Sequence, residues 1–257
     1  MRKHIFIIGL ILGLAIIFSH TTAQETIIKT EKKISDLGAD SLNIIGYMLY
    51  KREKFKEALA ILDISLSKEE KNPQALDLKA AIYEQYGDYE QAKELYKKAI
   101  SINQNDARAY YGLGEISKRE KEYSLAVAYY KNAVLLDTTN DIACNNLANI
   151  YYRSLGDYKN ALVYYQMAIE RNENNDLTYY NRAHLYEYAL QDYSKAESDL
   201  LKAIQINDKS DKAHYSLCLL YIRHILNREL GKKHYLKAME LNPELKTPDI
   251  EKYLGLK

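Results

Sequence analysis

The chain has 257 residues, 28% of them charged, with 36 Lys and Arg against 35 Asp and Glu. So even a balance excludes a general nucleic-acid binder, which needs a basic surface to neutralise phosphates. With 10 Gly and 3 Pro, long loops are excluded as well.

The first element is an export signal. Met1, Arg2, Lys3 and His4 form a basic start, residues 5–18 are an apolar run, and residues 19–23 are polar and end in Ala23. This pattern predicts a signal peptide over 1–23, cleaved after Ala23, and an exported chain that is periplasmic or secreted. The run is shorter than the roughly 20 residues of a membrane span, so an uncleaved anchor is the alternative reading. No Cys follows the run, and a lipid-anchored form is not indicated. Residues 24–38 read as an N-terminal cap or linker, in which Ile27, Ile28, Ile34 and Leu37 line one side of a short helix.

From residue 39 the chain repeats. Gly46, Ala80, Gly114, Ala148, Ala183 and Cys218 form one series of small residues. Ala58, Ala92, Ala126, Ala161, Ala196 and Gly231 form a second, and Ser65, Ala99, Ala133, Ala168, Ala203 and Ala238 a third. The step is 34 residues, then 35 from the fourth member onward. Small side chains at a set period mark helix crossings where backbones approach closely, as in a stacked-repeat protein. Rings alternate with these gaps. Tyr83, Tyr151, Tyr186 and Tyr221 follow the first series by three residues, and Tyr96, Tyr130, Tyr165 and Tyr235 follow the second by four.

The spacing predicts six helix pairs over 39–72, 73–106, 107–140, 141–175, 176–210 and 211–245. Repeats four to six each hold one extra residue, near Leu155, Leu190 and Leu226. Inside a helix it would turn all later side chains by about 100°, so the turn is expected to absorb it. Thr247 is the expected N-cap of a final helix within 246–257 that covers the last repeat with Ile250, Tyr253 and Leu254. Cys144 and Cys218 lie a whole repeat apart, too far for a disulfide, and read as buried small residues.

Residues 107–140, ARAYYGLGEISKREKEYSLAVAYYKNAVLLDTTN, resemble the tetratricopeptide repeat (TPR) pattern almost throughout, with Ser117 where Tyr is expected. Asn242-Pro243 looks like the family's inter-repeat turn. The resemblance covers all six repeats. It implies an all-α, right-handed α-solenoid of six helix-turn-helix repeats with a C-terminal capping helix, whose first helices line a groove.

The sequence holds no phosphate loop, metalloprotease motif, nucleophile elbow or C-x-x-C, and neither enzyme activity nor a cofactor is expected. His184, His214, His224 and His234 read as solvated or partly packed rather than as metal ligands. The first-helix face carries Arg108, Tyr111, Lys118 and Arg119 in repeat three. It carries Asn145, Asn149, Tyr152 and Arg153 in repeat four, and Tyr180 in repeat five. Tyr and Arg are enriched where binding energy concentrates. Asn145 and Asn149, an i,i+4 pair, are expected to bond an extended backbone.

These nine residues predict a peptide-binding groove on a non-enzymatic scaffold with a protein or peptide partner and no nucleic acid. Membrane contact is expected only through an uncleaved N-terminus or a partner complex. A glycan or small ligand stacked on Tyr faces is the alternative. Relatives that grip a C-terminal carboxylate use Lys and Asn on successive helices. Asn149 and Asn181 match that pattern, but Asn145, Tyr215 and Leu219 stand where cations are expected.

Overall fold

A computed structural model describes Ile34 and residues 36–256. The expected signal segment 1–23, with Ile27 and Ile28, lies outside the described residues. No helix among the described residues is long and apolar enough to cross a membrane.

The chain divides into two compact units at Leu136 and Asp137. The first holds α1 (Ala39–Lys51), α2 (Phe55–Lys68), α3 (Pro73–Tyr86), α4 (Tyr89–Ile102), α5 (Ala107–Arg119) and α6 (Tyr123–Leu136). The second holds α7 (Asp141–Arg153), α8 (Tyr158–Arg171), α9 (Asp176–His184), α10 (Tyr193–Ile206), α11 (Asp211–Leu220), α12 (Arg228–Leu241) and α13 (Pro248–Leu254). No strand occurs among the described residues. Among the described residues α1, α3, α5, α7, α9 and α11 each pack on their successor, which makes six helix pairs in the expected register.

Local chemistry sets the helix starts. The side chains of Asn72, Asp88, Asp106, Asn140, Asp157, Asp192, Ser210 and Asn227 each accept a hydrogen bond from the backbone N–H three residues on. This satisfies a donor that the helix itself leaves open. Thr247 stands at the N-cap of α13 but does not cap it. Its hydroxyl instead donates to the Leu245 carbonyl and meets the Tyr215 hydroxyl at 2.9 Å.

All eighteen small residues are buried. A Cβ on Gly46 would sit 2.9 Å from Leu62, and one on Gly114 would sit 2.9 Å from Tyr130. Of the rings, Tyr130, Tyr165 and Tyr235 are fully buried, and Tyr96 is 5% exposed. Ile250 and Leu254 of α13 pack on Cys218 and Tyr235, which closes the last repeat as expected. Tyr253 does not join them: it lies half exposed beneath the Arg228 guanidinium. Cys144 and Cys218 are buried and unbridged, and burial pushes both thiols up, to about 11 and about 12.

The inserted residues differ from expectation. In repeats one to three the turn closes by a bond from the N–H of residue i to the carbonyl of i−5: Lys54 to Leu49, Asp88 to Tyr83, Glu122 to Ser117. In repeats four to six the closure spans one residue more: Asp157 to Tyr151, Asp192 to Tyr186, Asn227 to Tyr221. Repeat four takes this up in the turn. In repeats five and six the end of the first helix widens instead into π-helix, over Leu185–Leu190 and Tyr221–Ile225. A π-bulge accepts one residue without rotating the helix beyond the turn, so the second helices keep their register. Every closure passes through one left-handed residue: Glu53, Gly87, Lys121, Gly156, Gln191 and Leu226.

Candidate functional site

In the second unit the first helices repeat at 35 residues, which sets equivalent positions beside one another. Asn145, Tyr180 and Tyr215 form one row, Asn149, His184 and Leu219 a second, and Arg153, Tyr188 and Arg223 a third. Above them, Ile142 and Leu177 are each 53% exposed, an unusual position for large aliphatic side chains.

The centre of this face is a ladder of rings along one helix and its π extension. Tyr180 meets His184 edge-on at 4.5 Å, and His184 stacks on Tyr188 at 5.5 Å. The Tyr152 hydroxyl donates to the His184 carbonyl at 3.2 Å, which ties α7 to α9. Burial, and then the Arg153 charge, push the His184 imidazole down to about 4, so it is neutral at pH 7. The Arg153 guanidinium lies 5.8 Å from the Tyr152 ring. Among the described residues, no carboxylate lies within 4 Å of Arg153 or Arg223.

Behind the ladder, Glu187 is 3% exposed. Burial raises its pKa, against the opposing pull of a Tyr188 hydrogen bond and the Arg223 charge. His224 stands 3.8 Å away and stacks on Tyr193.

Asn145 and Asn149 each have the side-chain oxygen engaged within the fold. Asn145 is 4% exposed, and its side-chain oxygen accepts from the Asn181 amide at 3.1 Å. The Asn149 oxygen accepts the Tyr165 hydroxyl at 2.8 Å. Both amide oxygens thus tie helices together, which leaves the amide nitrogens as the groups that could meet a peptide carbonyl. Tyr152, Arg153 and Tyr180 do lie together on the face. Tyr188 and Arg223 join them; their signal in the sequence was the 35-residue register that they share with Arg153.

The first unit places Arg108, Tyr111, Lys118 and Arg119 on α5, and it engages most of their charge. Lys118 bonds Glu115 at 2.8 Å, and Glu115 also accepts the Tyr130 hydroxyl. Tyr111 leans edge-on to Tyr130 at 5.7 Å. Arg119 lies over Tyr89 at 5.9 Å. Arg108 reaches Asp77 only at 3.9 Å, and its side chain is 73% exposed.

Two histidines are more deeply packed than the solvated or partly packed reading has them. His214 and His234 are each 6% exposed, with their Nδ1 atoms 2.9 Å apart. His214 Nε2 lies 3.3 Å from the Asp208 carbonyl, which can only accept. His214 therefore carries its proton on Nε2, and His234 donates from Nδ1. No group of three or more metal-ligating side chains occurs among the described residues.

Family models for the TPR repeat match residues 80–120, and tetratricopeptide repeat models match 143–177, 107–140 and 178–210. Among solved structures, the chain is similar to pilF of Pseudomonas aeruginosa, with a TM-score of 0.73 and 18% identity over 87% of this chain and 99% of that one. It is similar to YrrB, a TPR protein with an unusual peptide-binding site, with a TM-score of 0.59 and 21% identity over 76% and 95%. It is also similar to MamA, with a TM-score of 0.58 and 25% identity over 64% and 95%. At such identities the likeness to pilF and YrrB is one of fold. The repeat register, the buried small residues, the helix pairs and these matches agree: the chain belongs to the tetratricopeptide repeat family.

Proposed function

We propose that this protein is an exported, non-enzymatic scaffold that holds an acidic peptide segment on the first-helix face of its second unit. TPR proteins are in general non-enzymatic scaffolds for protein or peptide partners. One observation carries the finer reading: Arg153 and Arg223 share a row with Tyr188, which is 51% exposed, and the only carboxylate among the described residues whose charge meets Arg223 there is the buried Glu187. Tyr152, Tyr180, Tyr188 and Tyr215 supply rigid area with few rotatable bonds, and the bonds of the Tyr152 and Tyr215 hydroxyls to the His184 carbonyl and to Thr247 hold two of the rings in place. Ile142 and Leu177 supply an apolar rim. A carboxylate on the partner completes the two arginines. The YrrB peptide site supports a peptide as ligand. Export rests on the basic start, the short apolar run and the small residue at position 23.

Calorimetry with the mature chain tests this reading against pools of acidic peptides and a glycan panel. Acidic peptides are expected to bind, and to bind more weakly as salt shortens the Debye length towards about 8 Å. Binding of glycans alone would move the function to the sugar-stacking alternative.

A further inference from the structure

A cavity of about 440 Å³ lies between α10, α11 and α12, and its lining departs from the repeat pattern. Leu236 at its rim and the counterpart Leu201 are 48% and 43% exposed. They occupy the position that carries Asp63, Lys97, Lys131 and Gln166 in repeats one to four. His214 stands where those repeats carry Leu42, Leu76, Tyr110 and Cys144, and His234 where they carry Ile61, Leu95, Tyr129 and Tyr164. Packing of a helix pair therefore does not require either imidazole. With the His214 proton on Nε2 towards the Asp208 carbonyl and the His234 Nδ1–H on His214 Nδ1, His234 Nε2 keeps a bare lone pair. His234 lines the cavity at 6% exposure, and its Nε2 has no hydrogen-bond partner among the described residues. Ile204 and Leu236 make the walls apolar. Of the charges at the rim, Lys237 is bonded to Glu240 at 2.8 Å, whereas Lys233 is exposed and its charge reaches both imidazoles.

We propose that this cavity is a second binding site, for a small amphiphilic carboxylic acid whose carboxyl group meets His234 Nε2 and whose alkyl or aryl body lies along Ile204 and Leu236. The volume falls within the roughly 300–1,000 Å³ of small-molecule sites. A buried acceptor without a donor carries a cost that a ligand removes by bringing a proton. The acid brings one without adding net charge: its own proton, or one taken from water when the carboxylate enters, goes to Nε2. The imidazolium and the carboxylate then form a charge-assisted bond. His214 Nδ1, 2.9 Å from His234 Nδ1, accepts from the same imidazolium and stabilises it. Burial, His214 and Lys233 all oppose protonation of His234 in the empty site, and Tyr221, stacked on it, has its hydroxyl on Glu197 at 2.6 Å. The compensating negative charge therefore comes from the ligand. Lys233 favours that charge and opposes a metal cation. The site shares no residue with the face proposed to hold the peptide.

Calorimetry and imidazole nitrogen NMR on the full chain test the proposal with hexanoate and, as its uncharged counterpart, hexanol. Hexanoate should bind with uptake of a proton, read as an enthalpy that changes with the ionisation heat of the buffer. It should move His234 Nε2 to the protonated shift and bind about tenfold more tightly at pH 6 than at pH 7. Lys233→Glu, a change at an exposed position, should weaken binding about tenfold. His234→Gln should abolish the proton uptake. No binding of hexanoate by the native chain overturns the proposal. So does hexanol binding as tightly as hexanoate, and so does bound hexanoate that leaves His234 Nε2 unprotonated.

Discussion

Asp77 is a carboxyl that the fold buries against a second carboxyl. It is 6% exposed, with Asp106 beside it and the Arg108 guanidinium no nearer than 3.9 Å. Burial first, and the neighbouring Asp106 carboxyl second, push it up to about 8. The first repeat solves the equivalent position differently: Asn43, 34 residues earlier, donates at 3.0 Å to Asn72, the counterpart of Asp106. Asp77→Asn should restore that bond and remove the buried acid. We expect a gain of about 1–3 kcal/mol at pH 8 by denaturant titration, shrinking as pH falls and Asp77 takes up its proton. A loss at pH 8 would mean that the acid is satisfied in a way the geometry does not support. Leu226 is a second residue out of place, left-handed at φ 59 and 73% exposed. A β-carbon there costs about 1–2 kcal/mol of backbone strain, and the side chain returns little burial. Leu226→Gly should therefore stabilise by up to about 1 kcal/mol once the freedom of unfolded glycine is deducted. The counterpart change Gly156→Leu should destabilise; equal effects of both would contradict a common turn geometry.

Among the elements, what is written in local spacing was legible and what depends on distant partners was not. The burial of all eighteen small residues follows from close helix crossings such as those of Gly46 with Leu62 and Gly114 with Tyr130. The inserted residue had two equivalent homes, turn or helix end, because a closure to i−6 has no residue signature. Gly156 serves repeat four, and Gln191 and Leu226 serve the π-ended repeats. Asn145 and Asn149 look alike on a helical wheel, yet their oxygens are taken by Asn181, 36 residues on, and Tyr165, 16 residues on. No pattern within α7 announces either partner. The face itself was legible through Tyr152, Arg153 and Tyr180, because an amphipathic helix shows its unpacked side in its own sequence.

Across the whole molecule the two units carry opposite pH responses. In the second, His184 and His234 are held at about 4 by burial, with neighbouring positive charge adding to it. Unfolding returns them to about 6.5, so the unfolded state binds protons first. Their contribution to stability is complete above about pH 6.5 and falls as pH drops towards 4. In the first unit the raised Asp77 keeps its proton in the fold and loses it on unfolding, so stability falls as pH rises from about 4 to about 8. Hydrogen exchange corrected for intrinsic rates should show residues 176–241 loosening at pH 5 and residues 73–119 loosening at pH 8. A uniform change in both units would contradict this assignment of the buried groups.

The central claim is that the tyrosine and arginine face of the second unit takes the partner. Affinity capture from the native compartment with the mature chain, beside the folded double variant Tyr152→Ala/Arg153→Glu, tests it most directly. Loss of one central anchor costs about 2 kcal/mol or more, and the charge reversal repels an acidic segment. A specific partner recovered by the native chain should disappear with the variant. Undiminished recovery of every partner would contradict the claim and place the binding surface elsewhere on the molecule.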